Sequence, residues 1–531
     1  MSSFVIRGAE VIDGSERKAF KADVQVIDGV IATVGEVLRG DERGKVIDGS
    51  SLTITPGFID MHAHSDLAVL ADHAHLAKVT QGVTLEVVGQ DGLSYAPTNE
   101  ATQQEIREQL FGWNGNPTLE WNFKSIAEYL SKVDNGAAVN VAFLIPHGNV
   151  RMLVRGSEPG IATDAELTAM QTIVDQGMKE GAVGLSAGLT YTPAMYADDR
   201  ELTALCSVIS RYGGYYAPHH RNYGREFLTA VTDCIEIARG SKAALHLTHC
   251  HMSSPQYHGK TELLFDLIAE GERDGIDITL DTYPYLAGMT YLHALLPSWV
   301  QAGGIETMRK RLREPEVRKR VIHELMVTGS DGAHGNTLNF ETIVIAGVDT
   351  ALEFVGMRFD EAAKRAGKDP VEFYLDFLDA ENYKVSAVLH GGHEPNVRAI
   401  MQHPKHMVGS DGILVGNRPH PRGYGTFARY LGVYGRDEQV LSFEGAVARM
   451  TGRPAARLKL VDRGLVKKGY RADLVLLDRN SVLDQSTYEN PRVPASGFVN
   501  VWIDGTATLW EASRTDNLPG RAVRLKNGKG V

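Results

Sequence analysis

Eight apolar, strand-like runs recur along the chain, and helical patterns fill most of the gaps between them. The runs are "TITPGFIDMHAH" (53–64), "GVTLEVVGQ" (82–90), "NVAFLIPHG" (140–148), "GAVGLSAGL" (181–189), "GYYAPHHR" (214–221), "AALHLTHCH" (243–251), "DITLDTYPY" (277–285) and "HMVGSDG" (406–412). The gaps 163–181 and 224–240 carry apolar residues at three- and four-residue spacing, as an amphipathic helix requires. Strands alternating with helices build a parallel sheet, and a count of eight predicts that the sheet closes into a barrel. The long gap from about 290 to 400 reads as Gly-rich and helical pieces inserted over one face.

Length and the two ends add a second body. At 531 residues the chain is too long for one simple core. Its first sixty residues are short β-branched runs punctuated by Gly and Asp-Gly, as in "FVIRGAEVIDG" and "ADVQVIDGVIATVG". The same texture returns in "GYRADLVLLD" and "GFVNVWIDGTATLWEA". The predicted class is therefore α/β: a (β/α)8 TIM-type barrel over 56–455, with an insertion near residues 290–400. A small β-sandwich domain is expected from the N- and C-terminal segments, 1–55 and 456–531 together.

Several function classes fall away. The net charge of −11 arises from 66 acidic and 55 basic residues mixed along the chain, with no basic stripe for nucleic acid. No apolar run approaches the length needed to cross a membrane, and the N-terminal residues do not read as a signal peptide. Three cysteines without paired spacing argue for a reducing compartment, so the expected location is the cytoplasm.

In a barrel of this type the site lies at the C-terminal ends of the strands. Strand one ends in His62 and His64, strand five in His219 and His220, strand six in His249 and His251, and strand eight in Asp411. Residues two apart on a strand face the same side, so His62 and His64 can reach one ion together. Four strand ends that agree on imidazole and carboxylate predict a metal site, with zinc the expected ion from a His-rich set. One ion and two remain equally open.

The motifs also resemble a known family. "PGFIDMHAHSD", the histidines on strands five and six and the strand-eight aspartate are similar to those of the amidohydrolase superfamily. Within it, "GAVGLSAGLTYTPAMYADDREL", "DTYPYLAG", "LPSWVQAGG" and "GSDGILVGNRPHPRGYGTFARYLG" resemble the D-aminoacylase (N-acyl-D-amino-acid deacylase) family over nearly the whole chain. The resemblance implies that His62, His64, His219 and His249 hold metal, while His220 stands behind them. It makes Asp411 a group at the metal and its general acid/base, and it gives Arg422 and Tyr283 the substrate carboxylate. The "LPSWVQAGG" segment sits where that family carries an insertion over its active site.

Three positions depart from the family pattern. Its usual Asn-Cys-Gly after strand two, where the cysteine binds metal, is Gly89-Gln90-Asp91-Gly92 here. Asp91 can replace the thiolate as a harder ligand, or it can be an ordinary turn residue. A lysine after the strand-six histidine is His251, and a serine near the substrate is Met289. Both lost groups belong to the family's carboxylate-binding set, so the substrate side of the site is expected to differ.

The implied reaction is hydrolysis of an N-acyl-D-amino acid, or a related N-acylated amine, to a carboxylate and a free amine. Zinc makes water reactive near neutral pH, and one carboxyl, Asp411, can take its proton and return it to the departing amine. The partner is a small molecule carrying a carboxylate. A cyclic-amide hydrolase, an ammonia-releasing aminohydrolase and a catalytically silent binding barrel are the rival readings. His147, after strand three, fits either the rim of the site or a structural role.

Overall fold

The computed structural model describes residues 3–531. Hydrogen bonding joins Phe58–Asp60, Val83–Val88, Asn140–Pro146, Gly184–Gly188, Tyr215–His219, Ala244–Leu247, Ile278–Thr282 and His406–Val408 in chain order, each parallel to the next. These strands are buried on both faces, which is why they read as continuous apolar runs rather than alternating ones; Asn140–Pro146 is buried at all seven positions. The ring closes just past the strand ends. Met61 N–H donates to Val408 O at 3.1 Å, Asp411 N–H donates to His62 O at 2.8 Å, and Ala63 bridges Gly412. The expected eight-stranded barrel is the observed one.

Helices cover the ring as their periodicity predicts. Asp164–Lys179 starts at a capping box in which Thr163 and Glu166 bond each other's backbone N–H, a device worth about 1 kcal/mol. Asp199–Tyr212 is capped by Asp198 and stops at Gly213, whose left-handed φ of +75° a side chain would resist.

The apolar run 53–64 is two strands rather than one. Thr53–Pro56 pairs antiparallel with Leu474–Leu477, and Phe58–Asp60 begins the barrel. Gly57 makes the transfer, because a Cβ there would lie 2.2 Å from the Thr84 side chain. The terminal strands form one nine-stranded sheet wrapped over its own core: Phe4 stacks on Trp502 at 4.9 Å, and Val30 bridges Arg471. The C-terminal segment also touches the barrel: Ala522–Val523 pairs parallel with the third barrel strand.

The long gap holds more than helices. Ala287–Tyr291, Ser386–His390 and Ile343–Gly347 form a three-stranded antiparallel sheet, and a separate core includes Leu296, Phe359, Tyr374 and Leu378. Its β-branched stretches are short and scattered, so the periodicity of the intervening helices dominates the sequence. Between this unit and the barrel mouth lies a cavity of about 520 Å³. No helix among the described residues is long and apolar enough to cross a membrane.

Candidate metal centre

The barrel seam positions the first two histidines. Phe58–Asp60 is short, so His62 and His64 lie just beyond it, on either side of the bridged residue Ala63. Asp60, wholly buried, accepts the N–H of His62 at 3.2 Å and that of Ser410 at 2.8 Å, tying strand one to strand eight. Lys78 Nζ donates to Asp60 at 2.6 Å and to Ser410 Oγ at 3.0 Å. Glu86 accepts from Ser65 at 2.6 Å and lies 3.0 Å from His75 Nε2. Two buried carboxylates are thus met by a buried ammonium and an imidazole, which removes most of the penalty of placing charge there.

Asp91 is the hub of the site. Its Oδ1 lies 3.5 Å from His62 Nε2 and 3.4 Å from His249 Nε2, while Oδ2 lies 3.4 Å from both His64 Nε2 and His219 Nδ1. Asp411 Oδ1 is 3.1 Å from His64 Nε2 and 3.8 Å from His62 Nε2, and His219 Nδ1 is 3.1 Å from His249 Nε2. Two groups of donor atoms result, each within 4.8 Å: His62, His64, Asp91 and Asp411 in one, and Asp91, His219 and His249 in the other. Every member is buried.

Backbone conformation aims these side chains. Asp91, His249 and Asp411 have φ of 52°, 29° and 50°, in the left-handed range where non-glycine residues are uncommon. Such strain gathers where surrounding structure over-determines it. For Asp91 the fixing contacts are Gln90 Nε2 to Met61 O at 2.7 Å and Gly92 N–H to Ser186 Oγ at 3.0 Å. Gly92 must be glycine, because a Cβ would lie 2.5 Å from Gly188 N. Asp91 is a turn residue by its backbone and a member of the cluster by its side chain.

The electrostatics favour a cation. Burial works to raise the Asp91 pKa, but His249, His62 and His219 outweigh it and hold the carboxyl well below its usual range. Burial likewise opposes the low pKa of Asp411, which Arg422 and His64 produce. Burial disfavours charge on His62, yet Asp91 and Asp281 raise its pKa well above the ordinary value. Both ring nitrogens of His62 are buried without a hydrogen-bond partner. Four imidazoles, one of them without any other partner, gathered about two carboxylates are the donor set of a borderline metal such as zinc. The residues fit the ion.

Support lies behind the donors. Asp281 Oδ1 accepts the N–H of His249 at 2.8 Å, and its Oδ2 sits 2.9 Å from His246 Nε2 and 3.7 Å from His62 Nδ1. Thr190 Oγ1 holds His219 Nε2 at 2.8 Å. Partners of this kind fix ring orientation and tautomer.

The remaining expected residues divide. His220 stays out of the cluster and stacks on Tyr223 with centroids 4.9 Å apart. His147 is structural, buried with Nε2 2.7 Å from Glu201. His251 lines the cavity, its Nε2 unpartnered and its ring 4.3 Å from that of Tyr283. Arg422 lies under Tyr283 at 4.5 Å, with Nη1 2.8 Å from Asp411 and Nη2 donating to Met289 O at 3.3 Å. Met289 Sδ in turn accepts the His420 N–H at 3.2 Å. Sequence reasoning missed Trp113, whose ring is 4.6 Å from that of His64, together with Tyr191 and His334. Trp113 lies in a short helix and His334 in the insertion, and neither has a periodic signal that points at the barrel mouth.

The sequence pattern of the amidohydrolase family matches residues 45–508. The chain belongs to the amidohydrolase family. It is 31% identical over 520 residues to the D-aminoacylase of Alcaligenes xylosoxydans xylosoxydans, covering 98% of this chain and 97% of that protein. It is 32% identical over 530 residues to an N-acyl-D-aspartate deacylase of the same organism, covering 98% and 95%. A crystal structure of N-acyl-D-glutamate deacylase from Bordetella bronchiseptica, complexed with zinc and a phosphonate inhibitor that mimics the tetrahedral intermediate, superposes with a TM-score of 0.84. That pair is 29% identical, over 98% of this chain and 99% of the other.

Proposed function

We propose that this amidohydrolase is a zinc-dependent deacylase that cleaves an N-acyl-D-amino acid, or a closely related N-acylated amine, to a carboxylate and a free amine. The observation that carries the reading is the bridging position of Asp91 between two groups of imidazoles at the floor of a cavity that Arg422 also lines. His62, His64, Asp91 and Asp411 would hold one ion, and Asp91, His219 and His249 a second. The chemistry zinc supplies when bound is Lewis acidity, which polarises an amide carbonyl and makes water reactive near neutral pH.

The chain's own groups do the rest. Asp411 is kept ionised by Arg422, so it starts as a base: it takes a proton from the attacking water and hands it to the amine nitrogen as the C–N bond breaks. Arg422 has Nε without a hydrogen-bond partner, beneath the Tyr283 ring. That free N–H and the Tyr283 hydroxyl are the donors we assign to a substrate carboxylate, as a charge-assisted pair. Leu295, Leu338 and Leu389 from the insertion give the cavity part of its apolar wall. The three buried free cysteines support a reducing compartment, and we place the protein in the cytoplasm.

The test is a panel of N-acyl-D- and N-acyl-L-amino acids assayed for free amine, run beside hydantoin and dihydropyrimidine rings and an assay for ammonia. Amine release from the D-series, abolished by Asp411→Asn, is expected. Turnover of ring substrates alone would replace this reading with that of a cyclic-amide hydrolase.

A further inference from the structure

The cavity has a second polar side, made by the insertion. The turn from Ser330 to Asn336 is closed by Ser330 N–H donating to Asn336 O at 3.1 Å, and it carries His334 over the barrel mouth. The His334 ring centroid is 6.3 Å from that of His219 and 5.4 Å from that of Tyr223. His334 lines the cavity, and its Nδ1 is buried with no hydrogen-bond partner. Its backbone is left-handed, with φ of 58°, and therefore strained for a histidine.

Specific contacts hold that strain in place. Asn222, in the loop after strand five, donates Nδ2 to the His334 carbonyl at 3.0 Å, and Asn336 Nδ2 donates to it at 3.4 Å. The clamp acts on the backbone only, and the imbalance is informative. The fold spends backbone strain to fix an imidazole that bonds nothing in the protein, so the ring's partner comes from the cavity.

Which part of the substrate meets it follows from the order of residues across the site. Arg422 is 2.8 Å from Asp411, Asp411 is 3.1 Å from His64, His64 is 3.4 Å from Asp91, and Asp91 is 3.4 Å from His219, beyond which lies His334. This step rests on the deacylase reading: with the carboxylate at Arg422 and the amide over the ligand cluster, the acyl group extends toward His334. We propose that His334 contacts the acyl portion of the substrate and sets which acyl groups are accepted. It is a specificity-determining residue supplied by the insertion, distinct from the groups that grip the amino-acid end. Ala333 and Leu338, also at the cavity wall, confine the space beside it.

The variant of choice is His334→Gly, because glycine suits the left-handed backbone while removing the ring. kcat/KM is measured for the N-formyl, N-acetyl and N-butyryl derivatives of one D-amino acid, and for the N-acetyl derivatives of D-leucine, D-methionine and D-glutamate. His334→Gly is expected to lower kcat/KM for the acetyl substrate about tenfold, chiefly through KM, and to shift preference toward butyryl by a similar factor. The ranking among amino acids and the metal content should not change. His334→Asn, which tolerates the same φ and keeps a hydrogen-bonding group, should recover part of the loss. Equal losses across all acyl groups, a changed amino-acid ranking or a fall in bound metal would each overturn the assignment. If the wild-type protein hydrolyses no N-acyl-amino acid, the deacylase reading itself fails and this assignment goes with it.

Discussion

Glu201 offers a stability test whose size can be worked from the structure. It lies on the helix Asp199–Tyr212, wholly buried, and faces an imidazole and a guanidinium: His147 Nε2 at 2.7 Å and Arg151 Nη1 at 2.5 Å. Burial alone would raise its pKa, but hydrogen bonding and charge from His147 and Arg151 win and lower it from 4.5 to about 2. At 1.36 kcal/mol per unit, that shift is a contribution of about 3 kcal/mol to the folded state. The sign follows from the depressed folded-state value: the contribution is complete above pH 4.5 and is lost as the pH falls toward 2. Glu201→Gln keeps the shape, removes the charge and strands the Arg151 guanidinium, an independent route to a penalty of about 3–5 kcal/mol.

Urea unfolding of wild type and Glu201→Gln, followed by tryptophan fluorescence at pH 7 and pH 3.5, measures the gap. The variant should lose about 3 kcal/mol at pH 7 and clearly less at the lower pH. Adding Arg151→Met should restore part of the loss by removing the stranded charge. A penalty under about 1 kcal/mol at pH 7, the worth of a neutral hydrogen bond, would show that the ion pair does not hold the helix His147–Arg155 to the helix Asp199–Tyr212. So would a gap that ignores pH.

Two further outcomes follow from the site. Because Asp91 belongs to both donor groups, Asp91→Ala should lower metal content at both and cut kcat/KM by more than the roughly hundredfold typical of outer supports; elemental analysis of the purified variant checks this, and unchanged stoichiometry would remove Asp91 from the ligand set. Lys78→Met should strand the buried Asp60 and Glu86 carboxylates, costing about 3–5 kcal/mol, with thermal denaturation as the check and a wild-type melting curve as the contrary result.

The residues of the candidate cluster were legible because a parallel barrel delivers the ends of its strands to one rim. His62, His64, His219, His249 and Asp411 announce themselves by interrupting apolar runs at their C-terminal ends. Asp91 was legible only in part, since a Gly-Gln-Asp-Gly turn gives the same letters whether or not its carboxylate faces inward. His334, Trp113 and the insertion's sheet were not legible. They meet the barrel through tertiary packing of a separate core, and sequence separation carries no periodic trace of such contacts. The two terminal segments were correctly joined in one sheet by their shared texture, but the return of Ala522–Val523 to the third barrel strand is a two-residue pairing too short for any pattern.

That return, together with the pairing of Thr53–Pro56 with Leu474–Leu477, has a consequence for how the protein is made. As the polypeptide leaves the ribosome, the outer edge of Thr53–Pro56 stays uncovered until Leu474–Leu477, separated from it by the whole barrel, has been made. A nascent chain halted before Leu474 therefore lacks both the strands that complete its outer sheet and the strap across the third barrel strand, and the open edge of Thr53–Pro56 is free to pair with a neighbouring chain.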